Sequence, residues 1–274
     1  MKTEPENGIV ADLNERKAQF DSQGYCTVAN LFTSEELGEI EDFFEVYRTT
    51  GGKAFDKDSS YDEIDPSQRQ LRAMQPHRYS RKVKEWFLNP RVAAVLEHLL
   101  GRPALGAQTM YYYKPPGARG QGMHQDNFYL LAQPATCIAA WTPIDDADEE
   151  NGCLWVVPGS QDGEIYCPEK KGEKWLSYGD SHITRFPRDT KPIPVPVKRG
   201  ETLFFGGHLI HGSGPNRSKT RSRRTFIGHY VDDASTEVSR FYHPILDMQG
   251  NVASHVEVTT GGGPCGDGWF GAVH

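Results

Sequence analysis

The sequence predicts a mainly β protein, a β-sandwich or jelly roll preceded by helices. Three observations carry that prediction. From about residue 105 onward, short apolar or alternating segments recur between clusters of Gly, Pro and Asn, the spacing of strands in a two-sheet antiparallel fold. Before that point, apolar residues recur at helical intervals behind helix-start signals. The chain of 274 residues is 37% hydrophobic, which is enough for one sizeable core.

Thr33-Ser34-Glu35-Glu36 reads as a capping box, and Leu37, Ile40, Phe44 and Tyr47 follow at helical spacing. Gly51-Gly52 is the expected stop, with a polar loop over 50–70. A second helical stretch covers 83–87. A third covers 90–100, with Asn89 as N-cap, Pro90 at the first helical position and Gly101 and Pro103 as the stop. Strands are expected at 108–113, 123–130, 136–144, 153–157, 193–197, 202–211 and 225–231. Residues 164–191 read as a long polar loop, a length that suits a lid or binding loop. With no repeat, low-complexity tract or linker, one domain is expected: helices over about 1–103, a β core over 104–232 and an extension over 233–274.

The net charge of −7 is spread along the chain, which argues against nucleic acid as a partner, because phosphate binding needs a concentrated basic surface. The five cysteines (Cys26, Cys137, Cys153, Cys167 and Cys265) are odd in number and never spaced C-x-x-C. Neither a disulfide framework nor a cysteine zinc site is expected, and a reducing compartment fits. The N-terminus is polar, and no run reaches the roughly 18 apolar residues of a membrane span. A cytoplasmic protein acting on a small molecule is the expectation. Oligomeric state is not legible.

The sharpest local feature is Gly122-Met123-His124-Gln125-Asp126-Asn127. On an extended strand, His124 and Asp126 project from one side. A third ligand is offered by His211, which follows an apolar strand and precedes Gly212-Ser213-Gly214-Pro215-Asn216. Two histidines and a carboxylate form the facial triad of non-haem Fe(II) oxygenases, which leaves coordination positions open. H-x-D alone is a weak signal. The set becomes specific because arginine follows: a 2-oxoacid with a distal carboxylate needs a buried partner, and the planar guanidinium fork matches it. In Arg221-Ser222-Arg223-Arg224-Thr225-Phe226-Ile227, residues 223, 225 and 227 share one strand face. Arg223 is the expected inward anchor, and Arg224 replaces it if the register is shifted.

These pieces resemble the phytanoyl-CoA dioxygenase family. The resemblance runs over roughly residues 100–232, through Gln108-Thr109-Met110, Tyr113-Lys114-Pro115-Pro116-Gly117, His124-Gln125-Asp126, Ala140-Trp141-Thr142-Pro143-Ile144-Asp145 and Asn151-Gly152-Cys153-Leu154. It continues through Val157-Pro158-Gly159-Ser160, Gly200-Glu201-Thr202-Leu203-Phe204-Phe205 and His211-Gly212-Ser213-Gly214-Pro215-Asn216. It implies a double-stranded β-helix (jelly-roll) fold and an iron- and 2-oxoglutarate-dependent dioxygenase that uses O2 and hydroxylates a C–H bond, releasing succinate and CO2. His124, Asp126 and His211 would hold Fe(II). Arg223 and Ser213 would grip the distal carboxylate of 2-oxoglutarate, and Gln108 and Trp141 would line its pocket. Because Asp126 is present, the halide-binding variant of the site is not indicated.

Simple alternation turns Asn127 and Tyr129 away from the metal unless the strand bends. At least one of Tyr111, Tyr112 and Tyr113 should face the barrel interior, and Met74, Gln75 and His77 are candidates for its mouth. His208, His229, His243, His255 and His274 read as structural. The same iron site could direct desaturation, cyclisation or epimerisation instead. A non-catalytic jelly-roll binding protein would not need the Arg223 anchor, and a zinc hydrolase would want a glutamate beside the ligands. The substrate itself is not legible; no basic cluster is placed for a CoA phosphate, which favours a free small molecule.

Overall fold

In the computed structural model the described residues are 4–50, 55–56, 71–169, 183–187, 190–263, 265–266 and 269, with backbone alone at 4–11, 50, 55–56 and 71. The first half comprises α1 (Glu4–Gln23), β1 (Tyr25–Ala29), α2 (Ser34–Thr50), β2 (Phe55–Asp56), β3 (Leu71–Met74), α3 (Arg81–Phe87), α4 (Pro90–Leu100), β4 (Ala104–Lys114), β5 (Gln121–His124) and the single turn α5 (Asn127–Leu130). The second half comprises β6 (Ile138–Pro143), β7 (Leu154–Val156), β8 (Ile193–Val195), β9 (Glu201–Gly206), β10 (His211–Ser213), β11 (Arg223–Asp232), β12 (Glu237–Val238), β13 (Leu246–Asp247) and β14 (Glu257–Val258).

The larger sheet runs β1-β9-β6-β11-β4-β3-β2, with β13 added to β4, and the smaller runs β5-β10-β7-β8. Alternation along the central strands explains how the sheets and helices pack. Tyr111, Ala140, Phe204 and Phe226 face the helices and join Ile40, Phe44, Trp86 and Leu96 in one cluster. Their neighbours Tyr112, Trp141, Phe205 and Ile227 face the other way and join Leu154, Val156 and Val195 of the smaller sheet. Phe44 stacks on Tyr111 with ring centroids 3.9 Å apart. Because the large sheet is buried on both faces, its strands carry nearly continuous apolar runs. The chain beyond β11 packs Val238, Tyr242 and Ile245 against Leu105, Leu130 and Val231 at one end.

The helix signals work as the sequence indicates. Thr33 N–H donates to Glu36 Oε2 at 2.7 Å, and Glu36 N–H donates back to Thr33 Oγ1 at 3.2 Å. Asn89 accepts from Arg91 N–H at 2.9 Å. Gly101, at φ 73°, closes α4 in the left-handed region. The expected stop at Gly51-Gly52, residues 57–70 of the expected loop, 170–182 and 188–189 of the long loop, and His274 lie outside the described residues.

Three expectations are corrected. The strand expected over 123–130 ends at His124, and 127–130 is helical, because Asp126 already has helical angles (φ −64°, ψ −37°). The strand expected over 202–211 is two strands in different sheets, β9 and β10. Between them, Gly207 passes so close to Cys137 that a Cβ there would lie 2.7 Å from the cysteine Cβ. Finally, Cys167 and Cys265 form a disulfide across 98 residues of sequence. That pairing depends on how the chain returns, which no local spacing reveals. The other three cysteines are buried and free.

His77 Nδ1 lies 2.6 Å from Thr109 Oγ1, and burial, with Arg78 and Lys84 nearby, pushes the imidazole down to about 3. The unfolded chain takes up this proton near pH ~6.5. The stability from a neutral His77 is therefore fully present above that pH and lost as pH falls toward 3. His77→Gln should flatten the loss of the denaturant midpoint between pH 6.5 and 3 relative to the parent. Superimposable profiles would mean that His77 charges without unfolding the protein.

Candidate active site

His124 ends β5, His211 begins β10, and these two residues are direct partners in the antiparallel register. Their ring centroids are 4.2 Å apart. Asp126 follows at the turn into α5, and the ligand atoms of the three buried residues all lie within 4.8 Å of one another. Asp126 Oδ1 is 3.6 Å from His124 Nε2 and 3.6 Å from His211 Nε2. Each imidazole is oriented by a backbone carbonyl two residues earlier: His124 Nδ1 lies 2.8 Å from Gly122 O, and His211 Nδ1 lies 2.9 Å from Leu209 O. Donation from Nδ1 fixes the tautomer and leaves both Nε2 lone pairs pointing at the shared centre.

The electrostatics suit a cation. Burial opposes charge on Asp126, but the nearby His211 and His229, with a hydrogen bond from His229, hold its carboxyl well below the usual range. Burial pushes His211 down to about 4, against the attraction of Asp126. An ionised Asp126 beside a His211 that resists protonation is the state a divalent metal requires of those two groups.

Arg223 and Lys114 face each other across the β11–β4 pair. Both are buried, at 3% and 0% exposure. Among the described residues neither has a carboxylate within ion-pair distance, and Arg223 Nε has no hydrogen-bond partner. One guanidinium nitrogen donates to Thr225 Oγ1 at 3.1 Å, and the group lies over Trp141, 5.5 Å from the centroid. Burial pushes Arg223 down to about 10. Burial, then the charge of Arg223, carries Lys114 well below the lysine range. Ser213 Oγ accepts from Lys114 Nζ at 2.9 Å and from Gln121 N–H at 3.2 Å, which leaves its own proton to donate elsewhere.

One cavity contains the expected metal ligands His124, Asp126 and His211 and the expected co-substrate contacts Arg223, Ser213, Gln108 and Trp141. Arg224 lies on the opposite face of β11, ion-paired with Asp145 at 2.5 Å and Glu41 at 2.8 Å. The helical turn after Asp126 brings Tyr129 back into the cavity, while Asn127 caps the turn by accepting from Ala132 N–H. Of the three tyrosines, Tyr112 faces inward. Met74, Gln75 and His77 do not line the cavity; Arg72, from the same strand, does. Against the structural role expected for it, His229 lines the cavity and its Nε2 lies 3.0 Å from Asp126 Oδ2. The signal was available: it continues the inward alternation 223, 225, 227. Lys114 gave only the hint of a cation ending an aromatic strand, and Arg72 gave none.

A protein-family model described as phytanoyl-CoA dioxygenase matches residues 20–225. Phytanoyl-CoA dioxygenase 1 of Oryza sativa subsp. japonica is 30% identical over 229 residues, spanning 81% of this chain and 76% of the relative. The peroxisomal phytanoyl-CoA dioxygenase of Bos taurus is 25% identical over 266 residues, spanning 89% and 77%. Among solved structures, the non-haem alpha-ketoglutarate-dependent epimerase SnoN of nogalamycin biosynthesis aligns with a TM-score of 0.67 at 21% identity, over 82% of this chain and 85% of its own. EctD from S. alaskensis in its apo form aligns with a TM-score of 0.65 at 17% identity, over 83% and 79%. The mainly β architecture is thus that of jelly-roll oxygenases.

Gly212 sits between His211 and Ser213, where the β10–β5 register shifts. A Cβ there would lie 2.8 Å from Gln121 O and 3.1 Å from Met123 Sδ. Gly212→Ala should push β10 off β5, destabilising the fold by about 1–3 kcal/mol and weakening Co(II) binding at least about tenfold. Denaturation and Co(II) titration measure the two effects. Parent-like affinity would mean that the two histidine strands adjust independently.

Proposed function

The chain belongs to the phytanoyl-CoA dioxygenase family, and from that premise we propose that it hydroxylates an unactivated C–H bond of a small molecule, with iron held by His124, Asp126 and His211. It is an enzyme of the iron- and 2-oxoglutarate-dependent dioxygenases. The observation that carries the assignment of residues is the buried guanidinium of Arg223, with no carboxylate within ion-pair distance among the described residues, in the same cavity as the histidine–carboxylate cluster and with the buried Lys114 opposite it on β4. A dianionic 2-oxoacid answers both halves. Its keto acid end suits a metal with open positions, and its distal carboxylate suits an unpaired guanidinium.

Bound iron, with 2-oxoglutarate and dioxygen, supplies the oxidising power and yields succinate and CO2 as co-products. The chain supplies the rest. His124 and His211 present Nε2 lone pairs in fixed tautomers, and Asp126 supplies a permanently ionised oxygen. Arg223 grips the distal carboxylate, and Ser213 donates its hydroxyl proton to the same group. Trp141 supports the guanidinium from below, and Gln108 completes the cavity wall. Leu154, Phe205 and Ile227 keep water from the reacting centre. Proteins of similar fold include an epimerase and a carbocyclase, so another oxidative outcome at the same site is the second reading.

Addition of Fe(II) and then 2-oxoglutarate without oxygen should produce the weak visible charge-transfer band of a chelated 2-oxoacid. His124→Ala should abolish the band. Arg223→Ala should weaken 2-oxoglutarate at least about tenfold, in line with loss of one partner from a buried charged pair, whereas Arg224→Ala should leave its affinity within about twofold. Iron binding without any band would remove the co-substrate assignment to this cavity.

A further inference from the structure

The inner face of β11 carries Arg223, Thr225, Ile227 and His229 in succession, and His229 lines the cavity at the end away from Arg223. His229 is 3% exposed, and its Nε2 lies 3.0 Å from Asp126 Oδ2. An ionised carboxylate only accepts, so Nε2 carries the proton and donates. The other oxygen, Oδ1, is the one that lies 3.6 Å from both His124 Nε2 and His211 Nε2. The hydrogen bond thus divides the carboxylate, turning Oδ2 toward β11 and Oδ1 toward the two imidazoles.

The same bond fixes the far side of the ring. In the Nε2–H tautomer that this bond selects, Nδ1 is the ring's accepting atom, and it is buried without a partner. Gln108 is the residue opposite His229 in the β11–β4 register. It is 1% exposed, and its Nε2, a donor, is also buried without a partner. Directly opposed strand residues hold their Cβ atoms about 4.5–5.5 Å apart. Both side chains line the cavity of the triad, six residues along their strands from Arg223 and Lys114. A buried donor beside a buried acceptor is costly unless something entering the cavity pairs both. A single hydroxyl does so, because its O–H donates to Nδ1 while its oxygen accepts from the Gln108 amide.

We propose that His229 positions Asp126 through Nε2–H and, together with Gln108, receives a hydroxyl group of the substrate through Nδ1, so that the enzyme acts on hydroxyl-bearing small molecules. The inference rests on the proposed metal triad. Its test separates the two and needs no turnover.

In zinc-loaded protein with 15N-labelled histidine and 2-oxoglutarate present, His229 should be protonated on Nε2 and bare on Nδ1. The reverse tautomer overturns the proposal. Isopropanol, used as a hydroxyl probe, should move the His229 Nδ1 resonance in the parent and not in Gln108→Leu. A resonance that stays still in the parent, or moves equally in both proteins, overturns the substrate half. His229→Gln places an amide nitrogen where Nε2 was and should keep Fe(II) affinity within about threefold. His229→Asn reaches only the Nδ1 position and should lose about tenfold or more, the range for removal of a partner that orients a ligand. Equal affinities in the two variants, each matching the parent in far-UV circular dichroism, overturn the positioning role. A parent that binds neither zinc nor iron fails the metal assignment instead.

Discussion

The site depends on one register, the pairing of His211 with His124 between β10 and β5. These strands are short, at 3 and 4 residues, so few backbone hydrogen bonds hold them. The close approach at Gly212 and the packing of β7 on the far side of β10 make up the difference. A slip of one residue would turn His211 out of the cavity. Ser213, two positions on, would turn with it, so the metal half and the anchor half of the cavity share one constraint.

The second constraint is charge. Among the described residues the cavity is lined by one carboxylate, Asp126, and by Arg72 as well as Arg223; Arg223 and the Lys114 opposite it on β4 are both buried. Burying unpaired cations costs stability in the empty protein, and both groups respond with depressed proton affinity. What compensates them is polar packing rather than an opposite charge: Thr225 and Trp141 around Arg223, Ser213 and the Gly214 carbonyl around Lys114. Such a site is preorganised for an anion, because its donors already stand where a ligand carboxylate must bind. The neighbouring Arg224 illustrates the contrast. Paired with Asp145 and Glu41, its proton affinity rises rather than falls.

Residues whose meaning is local were legible in the sequence. The capping box at Thr33, the Pro90 start and the inward choice of Arg223 over Arg224 each follow from one rule of periodicity or capping, and the structure has all three. Residues whose meaning comes from distant partners were not. The segment 127–130 is apolar and short enough to be strand or helix, and only the backbone angles at Asp126 decide it. β1, at one edge, and β3, between β4 and β2, are short strands whose pairing to β9 and β4 leaves little periodic trace. The disulfide joins two cysteines that nothing in the sequence relates. His229 is a different case: the alternation that turns Arg223 inward reaches it six residues further along β11.

The surroundings of the metal ligands come from still more distant parts of the chain. Gln125, between the two ligands His124 and Asp126, points away from the cavity; its amide nitrogen donates to His208 O and Glu164 O, and its carbonyl oxygen accepts from Tyr166 N–H. That ties the stretch 164–166 to the backbone that sets the ligand spacing. Cys167 follows at once and is bonded to Cys265. Near that cysteine, Trp269 stacks on Phe128 at 4.5 Å and donates to its carbonyl at 2.8 Å. Both contacts converge on residues flanking Asp126. The turn that carries the carboxylate ligand is therefore held from inside by His229, and from outside by a loop and a C-terminal segment that one covalent bond joins. A metal site tolerates little error in ligand position, and a four-residue helical turn on its own would not supply that precision.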